Sequence, residues 1–389
     1  MAPQPDPEAD MDLLNDARFN RTFEFTPPGS PGAPSRPLTV TYADYGYRNE
    51  AHPEQERIML FSPPLMGSRL LLMTKHALAV KHKIRIISAD RPGFGGTGAV
   101  PPKDRLGLWR EIIPALLTHL HIPHLHALLA HSGGTLYALD LLLHHPTLLS
   151  PDPARPTYLA LGAPWILPAH TSSVPLSLLK MLPAGLISQT DRLGRLVHDH
   201  VAPAVGGSAG FLGRVGASGW LTSSSRAQGQ GEATDAAAAA AAAGGEEDQG
   251  VAEEERLWKG VMRRVYEEGM AGMSDDALLL LQKGAGLEAG WGDWGDYDGL
   301  VPRLGEVLRD VGRRLRVGVF YAEKDLLIGD GGTASKGARW FDACWEGAVG
   351  DVIEYGSRTV QGADHDGVWG LRWAAVQEVF ERVGEGDRA

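Results

Sequence analysis

Short apolar, β-rich runs alternate with helix-spaced apolar patterns over Leu38–Trp165 and again from Leu315 onward, and this alternation constrains the fold more than any other feature. LTVTYADYG, RIMLFSPP, KIRIISAD, HALLAHS and TYLALGAPW read as strands. DRLGLWREIIPALLTHL lies between the third and fourth, and GGTLYALDLLLHHP follows the fourth; both carry apolar residues at helical spacing. RLRVGVFYAEKD, ASKGARWFDACWEGA, DVIEYGSRTVQGADHD and GLRWAAVQEVFERV then resume as strand, helix, strand with loop, and helix. Such alternation predicts an α/β chain with a doubly wound, mostly parallel sheet covered by helices on both faces.

The pattern is lost over residues 166–314, where SSVPLSLLKMLPAGLI and EEERLWKGVMRRVYEEG read as separate amphipathic helices. This predicts a core in two parts, 38–165 and 315–389, interrupted by a helical cap at 166–314. Residues 1–37, acidic and Pro-rich, are expected to be a tail and a loop. Thr222 to Gly250 contains eight consecutive alanines, Ala236 to Ala243, flanked by Gly and acidic residues. With no apolar face to dock, this stretch is expected to be a disordered insert.

Composition narrows the partners. Asp and Glu total 48 against 37 Lys and Arg, a formal charge of −11, and no run of basic residues offsets it, so no nucleic-acid partner is expected. The single cysteine, Cys344, allows neither an internal disulfide nor a cysteine zinc cluster. The N-terminus MAPQPDPEADMD lacks the basic start and apolar run of a secretory signal. The longest apolar stretch, Tyr158 to Ala169, spans 12 residues with two prolines, short of the roughly 20 needed to cross a bilayer. The expectation is a cytoplasmic protein, without membrane insertion, acting on a small molecule.

The stretch most informative about chemistry is LLAHSGGTLYA, Leu128 to Ala138. An apolar strand runs into Ala130-His131-Ser132-Gly133-Gly134 and then into a helix. A sharp turn of this kind lifts a serine hydroxyl off the end of a sheet in a strained backbone conformation. Small residues two before and two after the serine, Ala130 and Gly134, leave room for neighbouring backbone. The Gly133 N–H, at the helix start, aims where an oxyanion would form. The plainer reading is a Ser-Gly-Gly turn capping a helix. A nucleophilic serine needs a histidine to take its proton and an acid to orient the histidine. Asp325 follows the strand RVGVFYA, and His365, in GADHDGV, follows the last strand, so order and position both suit a Ser, acid, His set on one sheet edge.

With these residues the chain resembles the α/β-hydrolase superfamily of the AB hydrolase-1 type. The family's Asp-Arg-Pro-Gly-x-Gly-x-Ser-like turn appears here as ADRPGFGGTG, Ala89 to Gly98, with Thr97 at the serine position, and its Gly-x-x-His loop as the segment around His365. The resemblance covers Leu38–Trp165 and Leu315–Val383. It implies Ser132 as nucleophile, His365 as general base and acid, Asp325 as the orienting acid, and no cofactor or metal. The family's His-Gly-x-Pro segment, whose x residue gives the second oxyanion N–H, reads here as SPPLMGSR. Alignment through Gly67-Ser68-Arg69 puts the x position on Leu65, with Met66 as the alternative; prolines 63 and 64 donate no N–H. The implied activity is serine hydrolysis, with ester, lactone, thioester, amide and carbon-carbon bonds all open and an ester or lactone expected on base rate; the alternative is a non-hydrolytic ligand-binding or regulatory protein.

Competing signals have plainer readings. Gly93-x-Gly95-x-x-Gly98 matches a dinucleotide fingerprint in form, but Pro101-Pro102 stand where its helix should open. His119, His121, His124 and His126 straddle a helix end and a strand start, so their side chains should diverge rather than bind a metal. Glu323, Asp330, Asp364 and Asp366 rival Asp325 as the orienting acid. His131 reads as a pocket residue or a packed neighbour. Trp291 and Trp294 either line the cap or tuck against the core, and Val174 to Ile187 is either a lid helix or a helix packed on the sheet.

Overall fold

The computed structural model describes residues 12–27, 37–188, 237–287, 290–328 and 332–385. Eight strands form one sheet in the order β1-β2-β4-β3-β5-β6-β7-β8: β1 Arg21–Phe25, β2 Leu38–Gly46, β3 Arg57–Ser62, β4 Ile84–Ala89, β5 Ala127–His131, β6 Thr157–Gly162, β7 Leu315–Lys324 and β8 Ile353–Asp364. β2 pairs antiparallel with both β1 and β4, and every other pair is parallel. The doubly wound, mostly parallel sheet expected from the alternation is therefore present. The order reverses around β3 and β5, and at such a switch point the strand ends open a crevice where ligands bind.

The described helices are α1 His76–Lys81, α2 Arg105–His119, α3 Gly134–His144, α4 Val174–Met181, α5 Ala184–Ile187, α6 Ala237–Glu268, α7 Gly272–Leu280, α8 Tyr297–Asp310, α9 Lys336–Glu346 and α10 Ala374–Glu385. In α2 the buried set Leu106, Trp109, Ile112, Ile113, Leu116 and Leu117 recurs every three to four residues, which makes one apolar stripe. That stripe joins α3, α8 and α9 in the hydrophobic cluster on one face of the sheet. The opposite face is covered by α1, α10 and the buried Val261 and Val265 of α6. β5 and β6, buried along their whole length, form the centre.

Three expectations need correction. The first 37 residues are not all tail: Arg21–Phe25 forms β1, the edge strand, because Phe23 and Phe25 alternate inward and are buried against the core with it. Of the stretch expected to be disordered, residues 222–236 lie outside the described residues, whereas 237–250 belong to the 32-residue helix α6. Docking of Leu257, Val261 and Val265 supplies the helix nucleus. Extension from an existing nucleus into a run of alanines costs little. The segment expected as cap up to residue 314 ends in α8, which packs against α3 and α9 as a covering helix of the sheet. Trp291 and Trp294 tuck inward, their indole N–H groups donating to Leu279 O and to Asp140 Oδ1. No helix among the described residues is long and apolar enough to cross a membrane.

Candidate active site

Ser132 has φ +49°, the left-handed region that L-residues adopt only when surroundings enforce it. The enforcement is visible: its N–H donates to Gly162 O at 3.0 Å, and its carbonyl accepts from Thr135 N at 2.9 Å and Trp165 N at 3.1 Å. A Cβ at Gly134 would lie 2.2 Å from Ser62 O and 2.6 Å from Pro63 O, so only glycine lets α3 start this close to β3. Ser62 Oγ in turn donates to Gly134 O at 2.9 Å. The smallness two residues after the serine is thus a direct consequence of backbone against backbone.

His365 comes from the end of β8 and Asp325 from the end of β7. His365 Nε2 lies 2.8 Å from Ser132 Oγ, and Nδ1 lies 2.8 Å from Asp325 Oδ2. Asp325 is fully buried, and its other oxygen accepts from Leu327 N at 2.8 Å and Ile328 N at 3.1 Å, which fixes its plane. The carboxylate orients the imidazole so that Nδ1–H donates to it and Nε2 is free to accept the serine proton. Burial opposes a charge on His365, but the adjacent Asp325 carboxylate, its hydrogen bond, and the charges of Asp366 and Asp364 outweigh that penalty, and the pKa moves above the ordinary 6.5. Of the rivals of Asp325, Glu323 accepts from Gly362 N and Asp364 from Gly367 N, while Asp366 comes within 4.8 Å of His365 and it is Asp325 that meets Nδ1 at 2.8 Å. Asp330 lies outside the described residues.

His131 has its Nε2 2.8 Å from His365 O. Burial and the neighbouring His365 push its pKa down to about 4, so at neutral pH it is uncharged and donates from Nε2 to that carbonyl. It supports the histidine loop from below. Carboxylate and imidazole atoms of His131, His365 and Asp366 come within 4.8 Å of one another. Both ring nitrogens of His365 already face Ser132 and Asp325, and Nε2 of His131 faces a carbonyl, so a metal there would have to displace the hydrogen bonds just described. His119, His121, His124 and His126 do not converge on any such cluster among the described residues.

The backbone N–H groups of Gly133, Leu65 and Met66 donate no hydrogen bond among the described residues. Leu65 stands in the turn after β3, closed by Gly67 N donating to Pro64 O at 2.8 Å. The turn is gripped from behind by Arg91, whose guanidinium donates to the carbonyls of Pro63 and Pro64. Arg91 is fully buried, stacks on Tyr137 at 4.6 Å, and pairs with Asp276 of α7 at 2.6 Å. Asp276 also pairs with buried Arg105 at 2.6 Å and accepts from Tyr137 OH. Sequence reasoning picked out Arg91 only as part of a turn motif and missed Arg105, Tyr137 and Asp276. Their one signal is Asp276, the second of two adjacent acids and next to the apolar run ALLLL, since a carboxylate buried there must find a cation. The glycines of Gly93-x-Gly95-x-x-Gly98 close a turn in which Gly93 N bonds Thr97 O, and the next α-helix begins only at Arg105.

No protein-family model matches the sequence, and no curated protein matches it. Solved structures do. The enol-lactonase from Burkholderia xenovorans LB400 superposes with a TM-score of 0.51 at 15% identity, covering 89% of this chain and 96% of that one. A candidate lipase from Acinetobacter baumannii AYE superposes with a TM-score of 0.53 at 13% identity over the whole of both chains. The chain has the α/β-hydrolase fold. Ser132 follows β5, Asp325 follows β7 and His365 follows β8, so all three stand at carboxyl ends of parallel strands. Helices α4 to α7 are inserted between β6 and the last stretch leading to β7.

Proposed function

We propose that the chain is a cofactor-free serine hydrolase that cleaves an ester or lactone bond of a small apolar substrate. The observation that carries this reading is the unbroken chain of two 2.8 Å contacts from Ser132 Oγ through His365 to Asp325, with the serine held at positive φ. Ser132 Oγ attacks the acyl carbon while His365 Nε2 takes its proton. The tetrahedral oxyanion rests on the N–H of Gly133 and that of Leu65. His365 then protonates the leaving oxygen, and the acyl-enzyme forms. A water molecule that gives its proton to the same Nε2 attacks the ester carbonyl, and collapse returns the proton to Ser132. Leu280 of α7 lies over Gly133, and Leu65 packs against the apolar cluster that contains Leu280, which supports an apolar acyl group under the inserted helices acting as a cap.

The direct test is labelling with a fluorophosphonate probe followed by intact-mass measurement. One adduct on the wild type and none on Ser132→Ala is expected. Absence of an adduct on folded wild type would instead favour a binding protein, a reading to which the low exposure of Ser132, 3%, and His365, 6%, also lends itself. A panel of p-nitrophenyl esters of graded acyl length, with lactones and one amide, identifies the bond.

A further inference from the structure

A groove of about 340 Å³ runs along the β7–β8 face beside α10, continuous with a smaller depression through Tyr158, Arg316 and Arg382. Its floor is open backbone at Gly356, and at Gly318 it is covered by the Tyr158 side chain, whose OH a Cβ there would meet at 2.2 Å. Gly318 of β7 stands directly opposite Gly356 of β8, and a Cβ at Gly356 would meet nothing within 4 Å. Two glycines side by side in a sheet forfeit strand stability, and a glycine inside a strand often marks a place where a ligand or another backbone comes close. Among the described residues nothing fills the space at Gly356.

The walls are arginines. Arg57, Arg155, Arg316, Arg358 and Arg382 line the two connected depressions, and Arg314 adjoins through Glu354. Among the described residues three carboxylates stand against these six cations: Glu354, shared by Arg314 and Arg316; Glu378, shared by Arg358 and Arg382; and the nearby Asp152. Arg57 and Arg155 have no ion-pair partner at salt-bridge distance among the described residues. Arg57 is held below its ordinary pKa by burial and by the charge of Arg155. Between them lies His126, whose Nδ1 accepts from Ile58 N at 3.0 Å, so the uncharged ring carries its proton on Nε2. Burial and the two arginines keep it uncharged, with a pKa down to about 4. Arg358 lies over the Phe320 ring at 4.7 Å with its Nε unpartnered. A local excess of cations on a chain of net charge −11 is not a by-product of composition.

We propose that this groove is a second binding site, for a small linear polyphosphate. Guanidinium forks match phosphate oxygens bidentately, and an elongated row of them suits an elongated anion better than a single compact one. The site lies at the amino ends of β3, β6 and β7, opposite the edge that carries Ser132; Arg57 and Ser62 mark the two ends of β3, roughly 17 Å apart. The arginines are scattered from residue 57 to residue 382, so no basic run announced them. The sheet gathers them.

The test is calorimetric titration of the full chain at low salt with tripolyphosphate, ATP and citrate. Expected is saturable one-to-one binding of tripolyphosphate that weakens about tenfold or more in Arg57→Gln/Arg155→Gln. Gly356→Val fills open space with a good strand former, keeps the fold, and should block binding to a similar degree. The Ser132 labelling rate should be unchanged in both variants. ATP binding as tightly as tripolyphosphate supports a nucleotide as the source; ATP binding tenfold weaker supports a free polyphosphate. No saturable binding of tripolyphosphate, equal loss in the distant variant Arg303→Gln, or citrate binding as tightly as tripolyphosphate would overturn the proposal.

Discussion

On the core side of the site, Ser132, Asp325 and His365 sit at the ends of β5, β7 and β8, and each is fixed by backbone around it or by another of the three. On the insert side, α6 and α7 reach the core through charged contacts between residues at least 171 positions apart in the chain: Arg69 with Glu268, Lys75 with Glu254, and Arg91 and Arg105 with Asp276. The first region is held by a parallel sheet whose strand ends can move little. The second is held by a few buried ion pairs on top of a modest apolar seam. Substitutions in the core site should therefore remove chemistry and spare stability, whereas substitutions at the insert's anchors should remove stability first.

The sharpest form of that contrast is Ser132→Ala or His365→Ala. Either should lower kcat by about 10⁴ to 10⁶-fold, and in Ser132→Ala, which leaves the Asp325–His365 pair in place, the melting temperature should stay within about 2 °C of wild type. A fall in melting temperature of 8 °C or more would erase the distinction between the two regions. Asp325→Asn should cost about 10⁴-fold in kcat by favouring the wrong tautomer of His365.

The same aspartate sets the pH dependence. His365 must be uncharged to accept a proton, and its pKa lies above 6.5 chiefly because Asp325 outweighs burial. Activity should therefore fall as pH drops through a midpoint above 6.5, the side on which the imidazole gains its proton. For stability the sign is opposite. A histidine whose folded pKa is raised stabilises the fold below its unfolded pKa, and that contribution is lost as pH rises through the folded value. Rate and melting temperature measured over pH 5 to 9 should diverge in this way. An acid limb centred below 6 would remove His365 from the role of base.

On the insert side, Asp276→Asn should leave Arg91 and Arg105 sharing no counter-charge inside the protein. Breaking a buried pair from one side typically costs about 3 to 5 kcal/mol, read as a lower urea midpoint. Because Arg91 also holds the carbonyls beside Leu65, kcat should fall as well, but by far less than in Ser132→Ala. If stability is unchanged, the insert is not anchored through this network.

The two regions were unequally legible in the sequence. Ser132, Asp325 and His365 were readable because a strand, a tight turn and a helix leave local signatures, and because chain order fixes which strand end each residue occupies. The expected positions of Leu65 and Gly133 could be read only through the turns that carry them. The Asp276 network left almost no trace, since a pairing across 185 residues has no period. Helix α6 was misread for a related reason: its alanines have no face of their own, and the residues that anchor the helix, Leu257, Val261 and Val265, lie downstream of them. β1 was hidden by its Pro-rich neighbours, although Phe23 and Phe25 show the alternation of a strand.

The smallest predicted effect separates two adjacent glycines. At Gly134 a Cβ meets core backbone at 2.2 Å, and backbone in a parallel sheet cannot withdraw. At Gly133 it meets Cδ1 of Leu280 at 2.8 Å, the tip of a flexible side chain on α7. Gly134→Ala should therefore destabilise by about 2 kcal/mol or more through strain at the elbow. Gly133→Ala should cost about 1 kcal/mol or less, since a rotamer change in Leu280 relieves the contact. If the Gly133 N–H holds the oxyanion as proposed, Gly133→Ala, pressing on the overlying Leu280, should instead raise KM for bulky acyl groups while kcat for small ones is retained. Equal urea midpoints for the two variants would show that the insert is as unyielding as the sheet beneath it.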